Sequence, residues 1–316
     1  MASVTSPPLV PPGAAGEESV PPPTRRRRPL LRRGGLSTML ILLPAVVLFA
    51  LFSWWPILRG LVIAFQKTNF ITTSWVGIEN FERVLADPLL GQALENTALY
   101  AGLALVVGFP VPIFLAVLLA EMRRSRRIAS FLVFLPTVIP PVVSILLWQV
   151  FYDPGASGLF NSILATVGIG PLPWLQSPSS AMLSIVLVAT WGAAGSTTII
   201  YLATILSIDS QLYEAAEIDG AGILRRIWHI TLPQLRGTIL LLLLLQLIGT
   251  FQVFTEPFLL TGGGPNNSTV TLLMLIYRYA FVFGNFGQAA ALSLMLAAAL
   301  SVFAAIYLWL SRKWSK

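Results

Sequence analysis

A chain of 316 residues that is 56% apolar and only 10% charged lies far below the roughly 25% charge of ordinary soluble domains, which excludes a water-soluble globule. Its net charge of +7 is no sign of nucleic-acid binding, because no soluble basic face accompanies it. Cysteine is absent, so disulfides and thiolate chemistry are excluded, and a zinc site is not expected from one histidine, His229.

Residues 1–35 are rich in Pro, Ser and Gly, lack apolar periodicity and are expected to be a disordered basic tail. The four arginines at 25–28 invite comparison with a nuclear-localisation patch or the start of a signal peptide. The apolar run behind them, however, exceeds the about 7–15 residues of a signal core, and no cleavage site follows. They read better as anchoring charge beside a first membrane span.

Six uncharged windows follow, at 36–58, 97–120, 128–152, 181–208, 237–255 and 287–310. Each is near the roughly 20 residues that cross a bilayer as a helix. Barrel strands would instead be about 10 residues of alternating polarity. Pro44, Pro110, Pro112, Pro136, Pro140 and Pro141 fall inside these windows. There the freed backbone groups need neighbouring helices or cavity water, so a packed bundle is implied. The sequence therefore predicts an all-α polytopic membrane protein, with six transmembrane helices over 36–316 and a polar loop at 207–236.

Of the 20 Lys and Arg residues, only Arg59, Lys67, Arg83 and Arg278 fall on one side of this arrangement. The other sixteen lie in the N-terminal tail, the 121–127 connection, the 207–236 loop and the C-terminus. This asymmetry places both termini and the 207–236 loop in the cytoplasm. Residues 60–96, 153–180 and 261–286 are then external loops. The Gly262–Gly264 run in the last of them is no phosphate cradle, and no Gly-x-x-x-x-Gly-Lys-[Ser/Thr] pattern occurs anywhere. If transport uses ATP, another polypeptide must hydrolyse it.

Residues 214–233 read EAAEIDGAGILRRIWHITLP, a polar stretch between two apolar runs. Asp209 or Ser210 is expected to cap a short helix carrying Leu212, Tyr213, Ala215 and Ala216. Gly220 permits a sharp turn. A second helix starts near Ile223, and Pro233 restarts the chain into the fifth span. Alanines allow close approach, and Glu214 and Asp219 supply acids, so the knob suits a groove in a partner. The plainer alternative is an amphipathic helix lying on the membrane surface.

These same residues carry a family resemblance. Glu214-Ala215-Ala216, Asp219-Gly220-Ala221 and, after a gap of nine residues from the glycine, Ile230-x-Leu232-Pro233 resemble the EAA signature of permease subunits of ATP-binding-cassette (ABC) importers. In that family the loop docks on the ATP-hydrolysing subunit. Gly77-Ile78-x-Asn80-Phe81, Thr261-Gly-Gly-Gly-Pro265 and Gly287-Gln288-Ala289-Ala290-Ala291 further resemble its carbohydrate-uptake group, and the maltose-type larger subunit in particular, over about 36–316. Two departures bear on partner contacts rather than on class. Arg236-Gly237 stands where a further proline is usual, and the extra N-terminal spans and large external domain of the maltose-type subunit are missing.

The resemblance implies a cell-membrane permease subunit that is not an enzyme and has no cofactor of its own. It would translocate a sugar or related carbohydrate delivered by an extracytoplasmic solute-binding protein. A second permease subunit and two ATP-binding subunits would complete the assembly. Glu214, Ala215, Ala216, Asp219, Gly220, Ala221, Ile230, Leu232 and Pro233 would couple it to the ATPase.

For the solute path, the fourth window carries the small and polar run Thr190–Thr198, and the fifth carries Gln246, Thr250 and Gln252, with Glu256 at its edge. Gln246 and Thr250, four apart, share a helix face, as do Gln252 and Glu256. By the resemblance, Ser196, Gln246 and Thr250 fall where the maltose-type subunit lines its sugar pocket. Trp191, Ser196, Gln246, Thr250, Gln252 and Glu256 are therefore the candidate path residues. Helix packing is the alternative for the small and hydroxyl residues, and a place at the external interface is the alternative for Glu256. No Lys or Arg lies inside a window, which tilts the cargo away from anions such as glycerol 3-phosphate. An ion-coupled secondary transporter would show mid-span acids or inverted repeats. A membrane enzyme would show clustered His, Asp, Glu or Ser–Lys groups, so no catalytic or metal residue is assigned.

Overall fold

The computed structural model describes residues 33–122, 124–155 and 158–314, and the expected disorder of the tail falls almost wholly outside them. The chain divides into two units, Met1–Pro56 and Ile57–Lys316. Helix α1 (Thr38–Ile63) begins in the first and ends in the second. Within the first unit it contains a π turn at Ala50–Trp54, where Phe49 meets Trp54 edge-on at 5.8 Å.

The second unit opens with an antiparallel hairpin, β1 (Gln66–Thr68) and β2 (Thr73–Trp75), in which Gln66 pairs with Trp75. Asn69 closes its turn by accepting from the Ile71 and Thr72 N–H groups, the local bonding that suits Asn to turns. Helix α2 (Glu79–Leu85) precedes α3 (Pro88–Glu121). Asp87 caps α3 by accepting the Leu89 N–H at 2.8 Å, with Pro88 at the first helical position. The Tyr279 hydroxyl donates to the second Asp87 oxygen at 2.6 Å. Burial first, and then the hydrogen bond to Asp87 and its charge, push this phenol above its ordinary range, so it remains a donor. At the far end of α3, the Arg126 guanidinium donates to the carbonyls of Leu119, Ala120 and Met122, which satisfies carbonyls a helix end would leave open.

The third expected span is broken. Helices α4 (Arg126–Val138) and α5 (Pro141–Phe151) meet at 97°. Ile139 (ψ 129°) and Pro140 (ψ 133°) are both held out of the helical region because each precedes a proline. Helix α6 (Leu159–Thr166) leads to α7 (Pro178–Leu206), α8 (Ser210–Ile218) and α9 (Ile223–Phe251). Helices α10 (Thr255–Thr261), α11 (Leu272–Val282) and α12 (Phe286–Trp314) complete the chain. Helices α1, α3, α7, α9 and α12 are each long and apolar enough to cross a membrane, and α4–α5 makes a sixth span if taken as one.

Two further expectations are corrected. Pro233 does not restart the chain, because α9 is already helical from Ile223, through a π turn at Ile227–Thr231. Proline is tolerated there as one of the first residues after that turn. Residues 261–286 are not a plain loop, since α11 buries Leu272, Met274 and Leu275 in a core with Val84, Ala93 and Leu292. Its apolar run is too short to have registered as a span.

Helix α3 ties the unit together, contributing in turn to three buried clusters. Leu90 and Ala93 join α11 and α12, Tyr100 and Ala104 join α5, α7 and α10, and Ala116 and Leu119 join Tyr201 of α7 and Leu235 of α9. Helices α4 and α7 approach so closely at Gly195 that a side chain there would run into the Val133 carbonyl and lie 2.7 Å from the Thr137 hydroxyl. Small residues bring membrane helices together in this way.

Candidate functional site

A cavity of about 690 Å³ opens between α3, α7 and α9 and is also lined by Thr255 and Glu256 of α10 and Leu273 of α11. Cavities of this size are typical of small-molecule sites. Each helix reaches it through a single stripe. Helix α3 supplies Tyr100, Ala104, Gly108 and Pro112; α7 supplies Thr190, Ala193, Ala194 and Thr197; α9 supplies Leu242, Gln246, Gly249 and Thr250. Spacings of three and four residues put each set on one face.

A π turn at Ala104–Gly108 shapes the α3 side. The Phe109 N–H bonds back to the Ala104 carbonyl, and that oxygen also accepts the Gln246 side-chain amide at 3.0 Å. A side-chain carbon at Gly108 would lie 2.9 Å from the Thr190 hydroxyl and 3.6 Å from the Gln246 amide, so glycine keeps this part of the cavity open. Thr250 is buried and donates to its own helix at the Leu247 carbonyl.

Gln246, Thr250, Gln252 and Glu256 meet around one space, but Gln252 and Glu256 do not share a helix face as expected, because α9 ends at Phe251 and Glu256 belongs to α10. Trp191 and Ser196 do not join them. Trp191 packs edge-on against Trp148 at 5.6 Å, and Ser196 is exposed, with its hydroxyl on the Ala193 carbonyl. The reason is helical phase: Thr190, Ala193, Ala194 and Thr197 own the cavity face of α7, and neither residue lies on it. Thr190 and Thr197 are the polar residues of that run which line the cavity, and the i, i+3, i+7 spacing is the signal in the sequence that groups them. Glu256 also lines a second cavity, of about 280 Å³, at the α4–α5 break beside Pro136, Thr137 and Ser144.

The second candidate region is the α8–α9 turn. Asp209 caps α8 by accepting the Gln211 N–H at 3.0 Å. Gly220 has φ +74°, a left-handed angle that side chains disfavour. The Ala221 N–H then returns to the Ala216 carbonyl at 2.8 Å. The Tyr213 hydroxyl meets that of Thr231 at 3.0 Å, and Arg226 stands 3.7 Å from Glu217, so α8 is tied back onto α9. His229 Nδ1 lies 3.0 Å from the Arg225 carbonyl.

Ala216, Asp219, Ala221 and Ile230 of the expected coupling set gather around a hollow of about 290 Å³, together with Arg226 and His229. Glu214 and Ala215 are exposed on α8, while Leu232 and Pro233 lie within α9. On the same two helices, Ile218, Leu224 and Trp228 are exposed.

Residues 108–316 match the family described as binding-protein-dependent transport system inner membrane component. Over 258 residues the chain is 35% identical to the "Probable ABC transporter permease protein YurN" of Bacillus subtilis, covering 80% of this chain and 88% of that one. It is 33% identical to the "Lactose transport system permease protein LacF" of Rhizobium radiobacter, covering 85% and 92%. Among solved structures, a chain of a bacterial ABC transporter involved in the import of the acidic polysaccharide alginate superposes with a TM-score of 0.81 at 29% identity, covering 89% of this chain and 96% of that one. A second alginate transporter structure, in complex with an alginate pentasaccharide-bound periplasmic protein, gives 0.80 at the same identity.

Proposed function

The chain belongs to the binding-protein-dependent transport system inner membrane components, and on that premise we propose how its two candidate regions divide the work of a carbohydrate importer. It is a multi-pass membrane permease subunit of an ABC importer, and the family is a transport component rather than an enzyme. Sugar transport names recur among its relatives. The ion-coupled alternative falls away, because the family works with a binding protein.

The cavity between α3, α7 and α9 is the stretch of path through which sugar passes. Its polar, uncrowded faces on otherwise apolar helices carry this reading. Hydroxyl and amide groups suit a cargo made of hydroxyls, and the glycine and alanine positions leave it room. An external solute-binding protein delivers the sugar, a reading supported by the solved neighbour's complex with an alginate pentasaccharide-bound periplasmic protein. The α8–α9 turn faces the cytoplasm with both termini, in keeping with the concentration of Lys and Arg on that side. There Glu214, Ala215, Ala216, Asp219, Gly220 and Ala221 dock on one of two ATP-binding subunits, and a second permease subunit completes the pore.

Reconstitution in vesicles tests the assignment. This chain alone should neither hydrolyse ATP nor accumulate a labelled saccharide. With a second permease subunit, ATP-binding subunits and a loaded binding protein, it should do both. Robust ATPase activity from the pure chain would sink the reading.

A further inference from the structure

Glu256 stands where the two cavities adjoin. It lines both, as do Ala189 and Ala193 of α7. It sits in the first turn of α10, half-buried. Its carboxylate has no ion-pair partner among the described residues. No Lys, Arg or His lines either cavity, although the chain as a whole carries +7. The space that the cargo crosses therefore has one acidic group and no basic one.

A purely local role, balancing the positive end of a short helix, would be served equally well on a solvated face. Here the carboxylate borders open volume on two sides. Charge beside a low-dielectric wall acts strongly on whatever enters. A sugar hydroxyl or ammonium can donate to this carboxylate. A uronate would set like charge against like charge with no cation beside it, and a repulsive element of this kind creates specificity as surely as an attractive one.

We propose that Glu256 is a charge-selecting residue of the translocation cavity, admitting neutral and amino sugars and rejecting saccharides that bear carboxylates. The proposal rests on the carbohydrate-permease reading and names the cargo class within it. Glu256 touches the cargo and performs no chemistry.

The test is equilibrium binding to the assembled transporter in nanodiscs without binding protein, so that only the membrane cavity selects. The probes are α-linked and β-linked glucose trisaccharides in three forms: native, oxidised at C6 to the carboxylate, and carrying an amine at C6. Wild type should bind the native and amine forms at least about tenfold more tightly than the carboxylate form, as expected for like charges in a poorly screened site. Glu256→Gln should shrink that ratio by most of its size, and Glu256→Asp should retain it. Equal binding of native and carboxylate forms by wild type overturns the proposal, and this measurement needs no variant to fold. An unchanged ratio in Glu256→Gln overturns it too. Failure of wild type to bind any form overturns selection by this cavity, while the carbohydrate reading stands or falls on uptake in the reconstituted vesicles.

Discussion

The cavity and the α8–α9 turn are both polar interruptions of an apolar chain, yet they use their side chains in opposite ways. In the cavity the polar groups face inward, and some are already engaged, Gln246 with the Ala104 carbonyl and Thr250 with that of Leu247. In the turn the polar groups join α8 to α9, while apolar Ile218 is 88% exposed and Trp228 68% exposed. The cavity is a concave surface that one chain furnishes with its own hydrogen bonds. The turn carries exposed apolar side chains of the kind that mark protein contacts. Cargo chemistry can thus be argued from this subunit alone, whereas the fit of the turn depends on what covers it.

Breaking the turn should have the largest effect. Gly220→Val places a β-branched residue at φ +74°, a strain of order 1–3 kcal/mol that deforms the docking surface. Uptake should fall to background and ATP hydrolysis should lose its dependence on the binding protein. Membrane content of the variant should stay at the wild-type level, because the residue lies outside every span. Wild-type uptake by this variant would count decisively against docking.

A milder break is Ile218→Asp, which changes surface chemistry without backbone strain. Burying such a side chain contributes about 1.5–3 kcal/mol, so the ATP-binding subunits should be held roughly tenfold to a hundredfold less tightly in a pull-down titration. Unaltered co-purification would show that this side chain stays uncovered.

The smallest changes are expected in the cavity. Gln246→Leu removes the bond to α3, and Thr250→Val removes a hydroxyl from the wall. Each neutral hydrogen bond contributes ~0.5–1.5 kcal/mol, so solute handling per intact complex should weaken by severalfold up to about tenfold. Uptake normalised to assembled complex separates the two roles. If only assembly drops, Gln246 and Thr250 are packing residues and the contrast between the two regions disappears.

Much of this molecule is written locally in its residues. Continuous apolar runs declare membrane helices because an unpaired backbone has no other solution in lipid. Asp209 and Gly220 declare a cap and a turn because each acts on its own backbone. The interruption at 209–231 was legible for the same reason. Non-local geometry was not. The prolines at 136, 140 and 141 announced a disturbance and account for the break between α4 and α5, but neither its 97° angle nor the close approach of α4 to Gly195 of α7 could be read from them. Trp191 and Ser196 looked as suitable as Thr190 and Thr197 until the phase of α7 was set by its packing on α3, α4 and α5. Helix α11 escaped notice because a run too short for a bilayer carries no signal of its own, and only the core it shares with α3 and α12 makes it a buried helix. Glu256 was visible as an acid at the edge of a span. Its place between two cavities was decided by the fold, since a sequence ranks a residue by its neighbours along the chain, whereas a cavity is made by neighbours across it.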